Sequence, residues 1–377
     1  MPSESYPGGE ATVARNEVRQ YPCKQCGAQL TYSATTHQMV CGYCGYSEII
    51  PTSKEEIREY EYNDQLSQPT EIGWGTETRT IQCENCGAKT TFQAGQISSA
   101  CAFCGSPKVV EAPSNTNLIR PESLVPFQVD KNAAAQMFRQ WLQGLWFRPS
   151  NLKKMAELAQ INGIYLPFWT YDANTQSWWE AEAGYYYYTT ETYTETDADG
   201  NTVVRTREVQ HIRWEPVSGH YQAFFDDELV FASTGLEEPM VEGLYPYDTN
   251  KLTPYQSAYL AGWLAEEYKL DVKEGWQRGQ KVMEQKIYSA CEQLIPGDTH
   301  RGLTVDTAFS NVTFKHILLP LWIAAYLYGN KSYKFLVNGQ TGKVSGEAPL
   351  SWVKILTLVF AVIAIIVLLV LIFGKHH

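Results

Sequence analysis

The chain has 377 residues and a formal net charge of −11 at pH 7, with 41 acidic against 30 basic side chains. This acidic balance argues against a protein that binds the phosphate backbone of nucleic acid, which requires clustered Lys and Arg. The first residues are polar and contain no apolar run, so we expect no signal peptide and a reducing compartment.

Eight of the nine cysteines form two copies of one pattern, in which Gly follows each Cys-x-x-Cys and fourteen residues separate the two pairs. Zinc accepts four thiolates in a tetrahedron, and a Cys-x-x-Cys turn supplies two of them. The pattern therefore predicts two duplicated zinc ribbons, at 21–50 and 81–111, each closed by one structural Zn²⁺ that supports folding. The predicted ligands are Cys23, Cys26, Cys41 and Cys44 in the first ribbon and Cys83, Cys86, Cys101 and Cys104 in the second.

These cysteines have three other possible uses: disulfides, a redox Cys-x-x-Cys motif and a rubredoxin-like iron site. A disulfide framework is typical of small secreted chains, and a redox motif does not require four turns in two matched pairs. Iron remains an alternative to zinc because four thiolates suit both metals.

The rest of the chain divides by composition. We expect disorder at 1–20, an acidic polar linker at 51–80, and a body of about 230 residues at 118–350, long enough for one large or two small cores. The body begins with a predicted helix that Asp130 caps and that ends before Pro149. Its apolar stripe is Ala134, Phe138, Trp141 and Leu145, and a second short helix is predicted at 152–158.

A long aromatic β region follows. Residues 165–179 are predicted to form a strand, a turn and a strand, and 185–193 with 202–214 a hairpin around 197–201. Two helices are then predicted from apolar spacing, at 254–268 and 273–294. Cys291 lies on the apolar face of the second helix, which predicts a buried thiol.

The body also contains a short internal repeat. Tyr165-Leu-Pro-Phe-Trp169 recurs as Leu318-Leu-Pro-Leu-Trp322, and each copy leads into an alternating aromatic strand. We expect the two copies to pair in one sheet with helices packed on it, in a mixed, β-rich α+β body. The Asn338-Gly pair after the second copy predicts a further hairpin.

The C-terminal segment 355–373 is almost entirely apolar, with Thr357 as its one polar residue. A helix of this length spans nearly all of a hydrocarbon core of about 30 Å, and Trp352, Lys354 and Lys375 flank it as interfacial residues do. The expectation is a transmembrane helix at 352–373 that tail-anchors the protein in the cell membrane, with 355–373 in the bilayer and the large N-terminal part in the cytoplasm.

Catalytic motifs are hard to find in this sequence. The segment Asn338-Gly-Gln-Thr-Gly-Lys343 ends in Gly-Lys, as a phosphate loop does, but Val337 occupies the position at which Walker A requires Gly. The histidines are scattered, and Asp226-Asp-Glu228 is more typical of a solvated turn than of a metal site. The sequence therefore predicts a protein that is not an enzyme.

Both ribbons are nearly neutral. The charged residues are Lys24 and Glu48 in segment 21–50, and Glu84, Lys89 and Lys108 in segment 81–110. Neutral ribbons with exposed aromatic side chains favour docking to a protein over binding to nucleic acid. The candidate docking side chains are Tyr32, Tyr43, Tyr46, Phe92 and Phe103.

Several motifs together resemble one bacterial family of YdjG-like proteins, whose members are labelled TFIIB-type zinc-ribbon or primosomal protein N′ (replication factor Y)-like proteins. The motifs are the tandem ribbons, Val125-Pro-Phe127, Trp146-Phe-Arg-Pro149, Gly163-Ile-Tyr-Leu-Pro-Phe-Trp169, Leu319-Pro-Leu-Trp322 and Val337-Asn-Gly-Gln-Thr-Gly-Lys343. The resemblance implies a tail-anchored tandem zinc-ribbon protein that associates with flotillin-like (SPFH) or phage-shock-type proteins during envelope stress. The resemblance does not imply helicase activity for this chain, because its sequence lacks the Walker motifs.

Taken together, the sequence predicts a non-enzymatic, membrane-anchored cytosolic scaffold that recruits a protein through its zinc ribbons. The alternative is a membrane-tethered zinc-ribbon protein that binds nucleic acid or assists replication.

Overall fold

The computed structural model describes residues 21–51, 53, 55–63, 79–84, 88–92, 101–103, 109–112, 118–149, 152, 161–196, 200–328 and 331–373. The predicted disordered segment 1–20 lies outside these residues, as does the predicted helix 152–158 apart from Leu152. The strands are β1 (Leu30–Ser33), β2 (Gln38–Cys41), β3 (Ser47–Glu48), β4 (Tyr60–Glu61), β5 (Arg79–Cys83), β6 (Lys89–Phe92), β7 (Val109–Ala112), β8 (Ser123–Leu124), β9 (Ile161–Thr196), β10 (Thr202–Phe231), β11 (Thr253–Pro254), β12 (Leu264–Glu266), β13 (Thr299–Tyr328), β14 (Lys331–Asn338) and β15 (Val344–Gly346). The helices are α1 (Lys131–Gly144), α2 (Glu238–Glu242), α3 (Val272–Leu294) and α4 (Trp352–Phe373), with 3₁₀ turns at Thr249–Lys251 and Ser257–Leu260.

The described part of the chain consists mostly of β-strands, so the predicted α+β fold class is wrong. Three strands are far longer than expected, with 36 residues in β9 and 30 each in β10 and β13. Residues 165–179 do not turn, because Asp172 is held inside the sheet by polar neighbours and the strand continues past it. Backbone pairing on both sides of β9 therefore overrides the local turn signal.

The internal repeat forms the centre of the large sheet. β9 and β13 are antiparallel, with Pro320 opposite Tyr165 and Leu318 opposite Pro167. The prediction that the two copies pair in one sheet is confirmed. Trp169, in the first copy, is fully buried and donates its indole N–H to the Leu270 carbonyl at 2.8 Å, which ties the sheet to the start of α3.

Two hairpins are where the sequence predicts them. Thr196 pairs with Thr202, and from there β9 and β10 pair over almost their whole lengths. The Asn338-Gly turn joins β14 to β15, and the Asn338 side chain accepts from the backbone N–H groups of Gln340 and Thr341 at 2.8 and 2.9 Å.

Two of the predicted helices are also confirmed. Asp130 caps α1 by accepting from the Ala133 N–H at 2.9 Å. α3 begins with a capping box formed by Asp271 and Glu274, and its apolar side packs on the sheet with Cys291 fully buried.

The predicted helix at 254–268 is wrong. The chain forms the 3₁₀ turn Ser257–Leu260 and then strand β12, which pairs with β9 and β6. Gly262 lies between them with φ +86°, a conformation that ends any helix. The aromatic spacing here serves contacts with the first ribbon instead of a helix face.

The predicted transmembrane helix is not supported either. Among the residues that the structure describes, no helix is both long enough and apolar enough to cross a membrane. The tail anchor, the bilayer contact at 355–373 and the cell-membrane localisation, which all depended on this helix, are corrected with it.

Candidate metal centre

The first ribbon is a small three-stranded sheet, β1–β2–β3, with one Cys-x-x-Cys turn before β1 and another after β2. In the first turn the Gly27 N–H donates to the Cys23 carbonyl at 2.8 Å, and in the second the Gly45 N–H donates to the Cys41 carbonyl at 3.0 Å. Both glycines have positive φ, 76° and 74°, which residues with a Cβ rarely adopt. The Gly after each pair is therefore what lets the turn close on its metal.

The four sulfur atoms of this ribbon meet in one cluster. The Sγ atoms of Cys23 and Cys44 lie 3.5 Å apart, as do those of Cys26 and Cys41, and all four lie within 4.8 Å of one another. A tetrahedral site with Zn–S bonds of about 2.3 Å has sulfur atoms about 3.8 Å apart. The donor set and its spacing therefore fit one Zn²⁺, as the sequence predicts for this ribbon.

The pKa values of these thiols are strongly unequal. Backbone N–H groups of Cys44 and Tyr43 lower the pKa of Cys41 to about 6, which favours its thiolate. The N–H of Tyr46 lowers the pKa of Cys44, but loss of water and hydrogen bonds with the other three sulfur atoms outweigh it and raise that pKa to about 12. Four thiolates this close require a cation among them, and a bound Zn²⁺ would supply that charge.

One face of the ribbon is docked on the body. The Tyr32 N–H donates to the Ala261 carbonyl at 2.9 Å, and the Trp263 indole N–H donates to the Tyr32 carbonyl at 3.0 Å. The Tyr32 ring meets the Tyr259 ring edge-on at 5.3 Å. A Cβ on Gly262 would lie 2.7 Å from the Thr31 methyl group, so the close approach depends on glycine there.

Other residues of the ribbon are exposed to solvent, and we call Tyr43 and Ile49 with the exposed cysteines its open side. Cys23 and Cys41 are buried, whereas Cys26 and Cys44 are exposed. Tyr43, between the two cysteines of the second turn, is 90% exposed, and Ile49 is 74% exposed. Of the predicted docking aromatics, Tyr43 thus faces solvent, while Tyr32 belongs to the contact with the body.

The second ribbon is described in part. Cys83 and Cys101 are buried in one apolar cluster with Phe103, and the Phe103 N–H approaches Cys101 Sγ at 3.4 Å, as the Gln25 N–H approaches Cys23 Sγ in the first ribbon. Cys86 and Cys104 lie outside the described residues, so the second predicted Zn²⁺ site stays a prediction. Its strands β5, β6 and β7 extend the large sheet through β12.

A second group of potential ligands lies near the middle of the large sheet and was missed by the sequence reasoning. Glu59, Asp172 and Asp227 present carboxylate oxygens close together. Lys315 already lies among them, with its Nζ 2.7 Å from Glu59 and 2.6 Å from Asp227. We therefore interpret this cluster as an ion-pair network and not as a metal site.

This network also corrects the interpretation of Asp226-Asp-Glu228 as a solvated turn. The segment is a β-bulge in which Asp227, with φ 53°, points its carboxylate at Lys315 and donates its N–H to Asp172 at 2.7 Å. An Asp at position 172, directly after the aromatic segment 165–171 of β9, was the available signal.

A protein of Bacillus subtilis (strain 168) named "Uncharacterized protein YdjG" is 28% identical over 347 residues, which cover 90% of this chain and 92% of that protein. No family model and no solved structure match the chain. The similarity extends across nearly the whole chain and assigns no activity, so the zinc-ribbon family label stays a prediction.

Proposed function

We propose that this chain is a non-enzymatic scaffold that recruits a protein partner through the open side of its first zinc ribbon. The observation that carries the proposal is that one part of the ribbon is docked and another part is exposed. Strand β1 is fixed to the body through Tyr32 and Trp263, whereas Tyr43 in the second Cys-x-x-Cys turn and Ile49 after β3 are exposed to solvent. A metal-braced turn that holds an exposed aromatic residue on a rigid base suits protein recognition, because little conformational entropy is lost on binding.

The charges of the ribbon support a protein partner over nucleic acid. Lys24 is the one basic residue of the segment 21–50, and its Nζ lies 2.5 Å from the Glu48 carboxylate. Phosphate binding depends on several cations that are available to the backbone. This surface supplies one cation, and a carboxylate already occupies it.

The class of partner is suggested by resemblance. YdjG-like tandem zinc-ribbon proteins are associated with flotillin-like (SPFH) and phage-shock-type proteins, and we propose a partner of this kind. Tyr43 and Ile49 would then enter an apolar depression on the partner, as interface aromatic residues commonly do.

The test is co-purification of the intact chain from its native host with quantitative mass spectrometry. Tyr43→Ala together with Ile49→Ser is expected to reduce the recovered partner at least about tenfold, since anchor residues dominate binding energy. Tyr288→Ala on α3, which also removes an exposed tyrosine, is the matched control and is expected to retain the partner. Equal recovery with all variants would exclude this surface, and recovery of nuclease-sensitive DNA would favour the nucleic-acid alternative.

A further inference from the structure

The long strands β9, β10 and β13 form a sheet with two very different faces. Side chains alternate along β9, and those on one face, such as Trp179, pack against Ile287 and Cys291 of α3. On the other face Asn174, Gln176, Trp178 and Glu180 are all exposed. We call this second side the open face. It comprises the even-numbered residues of β9 from 174 to 194 and of β10 from 204 to 224.

The open face carries large apolar side chains along its whole length. Those exposed are Trp178, Tyr186, Tyr188, Val204, Ile212 and Phe224. Beyond Gly184 the sheet narrows to β9 and β10 alone, and a two-stranded ribbon is marginally stable in water when nothing covers it. An apolar row on such a ribbon indicates a surface that another molecule covers.

The opposite face of the same ribbon satisfies its own charges. Arg207 lies 3.0 Å from Glu191 and over the Tyr193 ring at 5.8 Å. Arg205 lies 2.9 Å from Glu195. These ion pairs and the cation–π contact lie on the face opposite to the open face. On the open face, Arg301 pairs with Glu182 at 2.6 Å and lies over the Trp214 ring at 4.2 Å, so the charges near its centre are also paired.

The open face is self-complementary about its centre, where Gly184 pairs with Trp214. On β10, Val204 and Phe224 lie at equal sequence distances on either side of Trp214. Glu208 and His220 form a second such pair, an acid opposite a hydrogen-bond donor.

The same symmetry holds on β9. Tyr186 and Tyr188 lie as far beyond Gly184 as Glu182 and Glu180 lie before it. A tyrosine hydroxyl can donate to a carboxylate, so each pair joins a donor to an acceptor. On both strands, therefore, these residues have a complementary residue at the same distance on the other side of the centre.

We propose that two copies of this chain pack open face against open face, with antiparallel strands and a two-fold axis at the Gly184–Trp214 pair. A two-fold axis places each residue against the residue at the same distance on the other side of the centre. Val204 then meets Phe224 of the second copy and Glu208 meets His220, while the hydroxyls of the tyrosines reach the glutamates. Every pair occurs twice in the dimer.

The area of the open face agrees with packing against a second copy of the chain. At about 3.3 Å per residue and about 4.8 Å between strands, the open face is about 65 Å long and 10–14 Å wide. This gives about 800 Å² per copy, which is the area that one partner of a standard stable interface buries.

Pairing through the outer edge of β10 is a poorer arrangement. Pro216 lacks a backbone donor in the middle of that strand, and a bulge between Phe225 and Glu228 interrupts its register. Both features oppose edge-to-edge extension of the sheet, so the face is the better contact.

The first test is the oligomeric state of the intact, purified chain by sedimentation equilibrium. A dimer is expected, and Val204→Asp is expected to raise its dissociation constant at least about tenfold, because a carboxylate would be buried without a partner. Val203→Asp changes the neighbouring residue on the opposite face, also exposed, and is expected to alter the constant by less than about twofold. A monomer at all concentrations, or equal effects of the two substitutions, would overturn the proposal.

The second test concerns the antiparallel register. Glu208→Lys is expected to weaken the dimer, and adding His220→Glu is expected to restore it, because the exchanged charges still meet across the axis. If the double variant is no stronger than Glu208→Lys alone, the two residues do not face each other and the proposed arrangement is wrong.

Discussion

Lys315→Met probes the ion-pair network that connects the segment between the two ribbons to the large sheet. The Lys315 side chain is 6% exposed, and Asp227, one of its two carboxylate partners, is 14% exposed. Glu59, its other partner, belongs to the segment next to β4, which pairs with β13. Burial lowers the pKa of Lys315, but hydrogen bonds to Asp227 and Glu59 outweigh it and raise that pKa, so the ammonium stays charged.

The expected cost follows from the burial of each partner. Removing one member of a buried ion pair costs about 3–5 kcal/mol, since the remaining charge is left without compensation. Glu59 is 41% exposed and can turn toward water, which leaves Asp227 as the main uncompensated charge. We therefore expect the lower end of that range, about 3 kcal/mol, for Lys315→Met.

The measurement is the free energy of unfolding from urea titrations followed by tryptophan fluorescence. Arg278→Met is the control, because Arg278 pairs with Glu238 at the surface, where both side chains are about half exposed, and it is expected to cost less than about 1 kcal/mol. Adding Asp227→Asn to Lys315→Met is expected to recover at least about half of the loss. If Lys315→Met costs no more than Arg278→Met, the network does not contribute as argued.

Two further predictions concern pH and metal. Burial and the hydrogen bond that its protonated carboxyl donates to the Glu59 carboxylate raise the pKa of Asp172 from 3.8 to about 6, so the stability that the protonated form confers is fully present below about pH 3.8 and is lost as pH rises through about 6. Asp172→Asn, which mimics the protonated form, is expected to raise the urea midpoint over wild type more at about pH 7.5 than at about pH 5, because the stability from the protonated form is lost between about pH 3.8 and 6; an equal effect at both pH values would contradict this. Cys41→Ser is expected to remove one zinc equivalent per chain by plasma mass spectrometry, whereas Cys291→Ser, at a buried cysteine outside both ribbons, removes none. Iron in place of zinc would contradict the metal assignment.

The elements that could be predicted from the sequence are those with a local physical cause. The spacing of Cys23, Cys26, Cys41 and Cys44 determines a cluster of four thiols that could hold one metal ion, because each Cys-x-x-Cys-Gly turn closes through its own backbone hydrogen bond. α1 and α3 follow from a capping side chain and an apolar stripe, and Asn338-Gly determines its hairpin in the same way.

Other features were decided by contacts between distant parts of the chain. The spacing at 254–268 matches a helix, but those aromatic residues are used by the first ribbon, since Tyr259 and Trp263 contact Tyr32. Likewise, Asp172 favours a break in a strand when the local sequence is considered alone. In the fold, Thr313 and Asp227 donate hydrogen bonds to it and the strand continues. Local sequence cannot show such partners, because they lie far away along the chain.

By itself, the sequence determined the four-cysteine cluster, the capped helices and the pairing of the two Leu-Pro repeats, all of which depend on short patterns with strong local geometry. Only the tertiary structure decided which side of the first ribbon is docked, which face of the long sheet α3 covers, and that Lys315 lies among three carboxylates. The physical reason is that burial is a property of the assembled fold: the same tyrosine or aspartate is a surface residue or a core residue according to what packs against it.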